Sequence, residues 1–168
     1  MTIRLHSSLK INGKSYAAGD AVPWWTIYPF FILHMGVFGA SGFFMAYGGD
    51  VPLAFLFMHG GFAILVYLIF YLAMFGRETV KWLLIDSLLG VFGLVAQLGW
   101  ILALFDKSLS DYSAARHIIP FAYYVLYTFL LQRAILDFGG GTENETNRKT
   151  LNWYYVGFSL LIYGGLTF

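Results

Sequence analysis

From Pro23 onward the chain is a succession of long apolar runs separated by short polar breaks. The first run opens at Pro23, Trp24 and Trp25 and closes at Gly48, Gly49 and Asp50; the second closes at Gly76, Arg77 and Glu78. The third ends at a polar connector from Asp106 to Arg116, the fourth at a Gly-rich charged loop from Gly139 to Thr150, and the fifth ends the sequence. About 20 residues at 1.5 Å per residue cross a hydrocarbon layer about 30 Å thick. The pattern predicts an all-α, polytopic transmembrane bundle of about five spans, near residues 26–47, 51–75, 82–105, 117–138 and 151–168. Pro52 and Pro120 suit first turns, where a missing N–H costs nothing. The fifth run is the shortest.

Residues 1–25 read differently. Polar and apolar positions partly alternate, and Asn12-Gly13 lies between Ile11 and Lys14. A type I′ turn needs positive φ at both central residues, so this pair predicts a short hairpin on the membrane surface. The segment is too polar for a signal-peptide core, so insertion is expected to begin with the first span.

Composition agrees with the pattern. Hydrophobic residues make up 59% of the chain and charged residues 11%, against about 25% charged in soluble domains. A net charge of +1 with scattered basic residues excludes a nucleic-acid surface. The absence of cysteine excludes a disulfide framework, a thiolate metal site and a cysteine nucleophile.

Charge position sets an expected orientation. Arg4, Lys10, Lys14, Arg77, Lys81, Arg133, Arg148 and Lys149 fall at one end of the spans; only Lys107 and Arg116 fall at the other. The positive-inside rule puts the N-terminus in the cytoplasm and the C-terminus outside, in a bacterial-type inner membrane. On that assignment the Asn144-Glu145-Thr146 triplet lies on the wrong side for glycosylation.

Polar residues within spans are costly and mark candidate sites. Counted from the turn near residue 78, His59 and Gln97 lie at one level, and that level reaches Tyr123 or Tyr124 on the fourth span. A polar layer with a direct His59–Gln97 hydrogen bond is the expectation. His34 and His59 raise the question of a bis-histidine haem b, but His34 is about six residues farther from its turn, an offset of about 9 Å. No cofactor is therefore expected. No His, Asp or Glu pair sits at i, i+3 or i, i+4 within a span, and no metal is expected either. Asp86 reads as a solvated or salt-bridged residue one turn into the third span, near Glu78 and Lys81. Arg133 and Asp137 read as an i, i+4 pair or as side chains snorkelling to the interface. Gly36, Gly39, Ala40 and Gly42 make the first span thin over its outer half and predict close helix packing.

No G-x-S-x-G, HExxH, Walker A or GxGxxG pattern is present. The leading expectation is a non-enzymatic inner-membrane protein, a small transporter- or channel-like unit or a subunit of a larger complex. Its partners would be membrane lipid and a second copy or a complex subunit. The alternatives are a haem- or quinone-binding oxidoreductase subunit and a lipid-modifying enzyme.

Overall fold

The computed structural model describes residues 2–11 and 13–167, without the side chains of Glu78 and Thr167. Four short strands precede the helices: β1 (Thr2–Arg4), β2 (Leu9–Ile11), β3 (Lys14–Tyr16) and β4 (Ala21–Pro23). β2 pairs antiparallel with β3, Ile11 facing Lys14, as the hairpin expectation requires. Of its two turn residues, Asn12 lies outside the described residues and Gly13 has φ of 80°. The outer β1–β4 pair, Ile3 opposite Val22, was not legible in the sequence. Both of these side chains are buried, and the backbone N–H groups of His6 and Ser7 each donate to Ala73 O at 3.0 Å, which fastens the strand unit to the bundle.

Five long helices come next: α1 (Trp24–Tyr47), α2 (Leu53–Phe75), α3, α4 (Ala114–Phe138) and α5 (Glu145–Thr167). α3 runs through Glu78–Gly93, makes a π-turn at Leu94–Leu98 and resumes over Gly99–Ala103. The largest differences from the expected boundaries are at three helix starts. α3 starts four residues early, at Glu78, α5 starts six residues early, at Glu145, and α4 starts three residues early, at Ala114, which places Pro120 inside the helix and buries it. Proline has no N–H, so the carbonyl of Arg116 lacks its usual helical partner.

Four of the helices, α1 to α4, are long and apolar enough to cross a membrane. Their outward faces carry apolar stripes at helical spacing, such as Met58, Phe62, Leu65 and Ile69 on α2 and Leu84, Leu88 and Val95 on α3. Faces of this kind suit hydrocarbon rather than water, as expected of a multi-pass membrane protein. α4 is the axis of the bundle: 56% of its apolar window is buried, against 22–28% for α1 to α3. α1 and α2 pack on one side of it, and α3 and α5 on the other. Gly60 permits the close approach of α2, since a Cβ there would lie 2.4 Å from Ile119 Cγ2. Tyr71 and Phe129 fill the α2–α4 contact with ring centroids 5.3 Å apart.

The end bearing the α1–α2 turn is closed by side chains from the α3–α4 connector. Lys107 Nζ and Tyr112 Oη donate to Tyr47 O at 3.0 and 2.9 Å. Arg116 donates to Ala46 O at 3.2 Å and to Val51 O at 2.9 Å. Tyr47 Oη and His117 Nδ1 are hydrogen-bonded at 2.8 Å. The last carbonyls of a helix have no internal partner, and cations near that end are favoured by the helix dipole. These two basic residues are therefore occupied as helix caps.

Candidate functional site

The polar groups of the interior concentrate in a seam between α3, α4 and α5. α4 brings Tyr124, Thr128 and Gln132, spaced four apart, and α5 brings Asn152, Tyr155 and Tyr163 on one face. At the level nearest the α4–α5 loop, Gln132 Nε2 donates to Asn152 Oδ1 at 2.7 Å. Gln132 is fully buried and its Oε1 has no partner. One level deeper, Tyr155 Oη lies 3.1 Å from Asp86 Oδ1 and 3.3 Å from Thr128 O, so its single proton is shared between two acceptors. Deeper still, Tyr124 Oη donates to Tyr163 Oη.

Asp86 is the ionisable member of this seam. It is 1% exposed, and its Oδ2 has no hydrogen-bond partner among the described residues. This corrects the reading of Asp86 as a solvated residue: α5 packs over it and closes off water. The hydroxyl of Tyr155 is its hydrogen-bond donor, and no cation pairs with it among the described residues. Two glycines of α3 make room for the tyrosines. A Cβ on Gly93 would lie 2.3 Å from Tyr124 Oη and 2.7 Å from Tyr163 Cζ, and one on Gly90 would lie 3.2 Å from Val125 Cγ2.

Beyond Tyr124 the seam meets a cavity of about 250 Å³ between α1, α3 and α4. Gln97 lines it from the π-turn, and its amide hydrogen-bonds no other described residue. Pro120, Tyr123 and Tyr124 line it from α4, and Gly36, Gly39 and Ala40 from α1. Two interrupted helices thus border one intramembrane space, and π-turns recur at functional sites.

The expected residues divide between this region and another. Gln97 and Tyr124 share the cavity, and Asp86 joins Tyr124 through the seam. His59 does not belong to it: it lines a separate groove of about 550 Å³ between α1 and α2, together with His34. The expected His59–Gln97 hydrogen bond is therefore absent. Gln97 borders the cavity between α1, α3 and α4, whereas His59 borders the α1–α2 groove. Each histidine ring lies against a phenylalanine of its own helix, His34 on Phe30 at 4.0 Å and His59 on Phe55 at 6.1 Å. His34 Nδ1 also lies 3.0 Å from Phe30 O. No group of three His, Asp or Glu side chains suited to a metal occurs among the described residues.

Two further expectations are revised. Of the three glycines among these small residues of α1, Gly42 meets a neighbouring helix, where a Cβ would lie 3.0 Å from the Tyr123 ring. Gly36 and Gly39 have open space in front of them. Arg133 and Asp137 do not pair: Asp137 accepts from Tyr28 Oη of α1, and the Arg133 guanidinium lies over Phe75, 5.0 Å from the ring centroid. Sequence reasoning missed Asn152, Tyr155 and Tyr163. Their signal was a polar stripe at spacings of three and eight along a run judged by its short length.

Comparison of the chain with protein-family models, curated proteins and solved structures finds no match.

Proposed function

We propose that the protein is a small proton-conducting transport unit of the inner membrane, with five spans, a cytoplasmic N-terminus and Asp86 as the group that takes up and releases the proton. One observation carries this reading: a carboxyl group buried in a membrane bundle, with a neutral hydroxyl as donor and one oxygen unpartnered. An ionised carboxylate without a cation is costly in hydrocarbon, and intramembrane acids characteristically serve ion or proton pathways. Binding a proton removes that cost. The seam supports the reading because hydroxyl and amide groups lie on both sides of Asp86, from Gln132 and Asn152 at one end to Tyr124 and the Gln97 cavity at the other. The basic residues gathered at the strand-bearing end support the orientation. The apolar outer faces suit lipid and a second copy or complex subunit.

The test is proton flux into liposomes holding a pH-sensitive dye, driven by a potassium diffusion potential. Wild type conducts above empty liposomes, Asp86→Asn does not, and Asp86→Glu retains part of the flux. A wild type no faster than empty liposomes, or an Asp86→Asn variant as fast as wild type with an unchanged elution profile, overturns the proposal.

The second reading, a haem- or quinone-binding subunit, draws on the groove that His34 and His59 line together. A Soret band in the visible spectrum of the purified protein would promote it over the first.

A further inference from the structure

At the end opposite the Tyr47 caps, the strand unit and the ends of α2 and α4 border an open cavity of about 560 Å³. Its walls bring together His6, Ser7, Arg77 and Arg133, with Leu72 and Phe75 beneath. The arrangement is built into the backbone. Gly76, with φ of 73°, turns the chain from α2 into α3, and the His6 ring lies directly over it, since a Cβ there would be 2.6 Å from His6 Nδ1. The paired bonds from His6 N and Ser7 N to Ala73 O hold that ring in place.

Arg133 is the informative residue. It is half-buried, its Nε is inaccessible and without a partner, and it forms no ion pair among the described residues. A guanidinium is always charged and presents donors in a planar fork, so one left without an acceptor in a partly desolvated position is a costly arrangement. Its stacking on Phe75 orients the fork and satisfies none of its donors. Among carboxylates near its other side, Asp137 already accepts from Tyr28, and Glu143 lines the adjoining cavity together with Arg4. Among the described residues, no carboxylate lines the cavity that Arg133 shares with Arg77 and His6.

We infer that this cavity binds a phosphate-type oxyanion, held by the Arg133 and Arg77 guanidinium groups with His6 and Ser7 as further partners. Arginine forks match the oxygens of such an anion with two parallel bonds each. The ligand has two sources of the same chemistry, an anionic lipid head group and free phosphate. Leu72, exposed on the outward face of α2, gives the cavity an apolar sill on which an acyl chain would lie. The inference is independent of the proton pathway, which uses none of these residues.

Binding is read as a rise in unfolding temperature at fixed ionic strength. Protein is compared in vesicles of phosphatidylcholine alone and with phosphatidylglycerol added, and in detergent with and without inorganic phosphate. The lipid source predicts stabilisation by phosphatidylglycerol that Arg133→Gln and Arg77→Gln each weaken at least about tenfold in apparent affinity. Lys14→Gln, on the exposed hairpin, leaves it unchanged. Stabilisation by inorganic phosphate alone with the same ranking of variants assigns the site to a soluble anion. Arg77 is exposed, so its variant remains informative if Arg133→Gln fails to fold. Stabilisation by neither ligand, or an equal loss in all three variants, overturns the inference.

Discussion

Tyr155 reaches from α5 to Asp86 on α3, and its hydroxyl, 3.1 Å from Oδ1, is the hydrogen-bond donor to that buried carboxyl group. Removing the donor leaves a buried acceptor unsatisfied, which costs about 1–3 kcal/mol. Tyr155→Phe is therefore expected to lower stability by that order, measured by reversible unfolding in mild detergent or bilayers. Asp86→Leu combined with Tyr155→Phe should cost less than the two single changes added, because each single change strands the other partner. Strict additivity would mean that the pair contributes nothing as a unit.

Gly93 and Gly39 are both glycines on membrane helices, yet they should respond oppositely to a larger side chain. Gly93→Leu places carbon where Tyr124 Oη and Tyr163 already lie, so the α3–α5 contact must open and the unfolding temperature must fall. Gly42→Leu meets the Tyr123 ring and should be destabilising as well. Gly39→Leu grows into open space beside the cavity and should fold normally. Equal losses at positions 39 and 42 would indicate that a second copy covers the cavity mouth.

These glycines mark the boundary of what was legible in the sequence. The apolar runs placed the first four helices within a few residues, because lipid requires a continuous hydrogen-bonded backbone and the runs record its length. Small residues carry the same signature whether they admit a tyrosine, as at Gly42, or border a space, as at Gly39. Depth could be counted from turns, which put Gln97 level with Tyr124, where they share a cavity. Rotation about the helix axis could not. An extra residue in the π-turn of α3 rotates the remainder of the helix by about 100°, and nothing in the sequence reveals that His59 and Gln97 border separate spaces. The seam escaped because Asn152 and Tyr155 lower the hydropathy of the helix that carries them.

Arg116 ties the end of α1 to the segment leading into α2 through its bonds to Ala46 O and Val51 O. Arg116→Ala should cost about 1–3 kcal/mol and make the loop at residues 48–52 more susceptible to protease. Arg116→Lys should recover only part, since a single ammonium reaches two divergent carbonyls less well than a fork. Unchanged cleavage in the alanine variant would show that Lys107 and Tyr112 suffice to close this end.

Glu145 opens α5 and pairs with Lys149 at 3.0 Å, one turn on. The hydrogen bond and charge of Lys149, with Arg148 adding to them, hold its carboxyl below the ordinary glutamate value of 4.5. A depressed acid stabilises the fold above its unfolded value and loses that contribution as pH falls through the folded one. The stability difference between wild type and Glu145→Gln should therefore be small at neutral pH, shrink in high salt and vanish on acidification below the folded value. A difference that grows towards low pH would contradict the sign. Thermal unfolding of both proteins across that range is the measurement.

α5 decides where the C-terminus lies. Its 23 residues reach about 35 Å at 1.5 Å per residue, enough to cross, although its hydropathy keeps it out of the group formed by α1 to α4. The deficit comes from the side facing the bundle: Asn152 and Tyr155 make hydrogen bonds there, whereas the opposite side carries Trp153, Tyr154, Phe158 and Leu161, all exposed. A helix whose polar groups are satisfied inward and whose outward face is aromatic and aliphatic is suited to lipid. On the proposed five-span arrangement, with eight of the ten basic residues assigned to the strand-bearing end, a reporter active only outside the cytoplasm should work when fused after Phe168 or within residues 48–50. Fused within residues 139–150, it should be silent. Activity at residues 48–50 together with silence at both other positions would mean that α5 lies along the inner surface, and the seam around Asp86 would then open to the cytoplasm rather than cross the membrane.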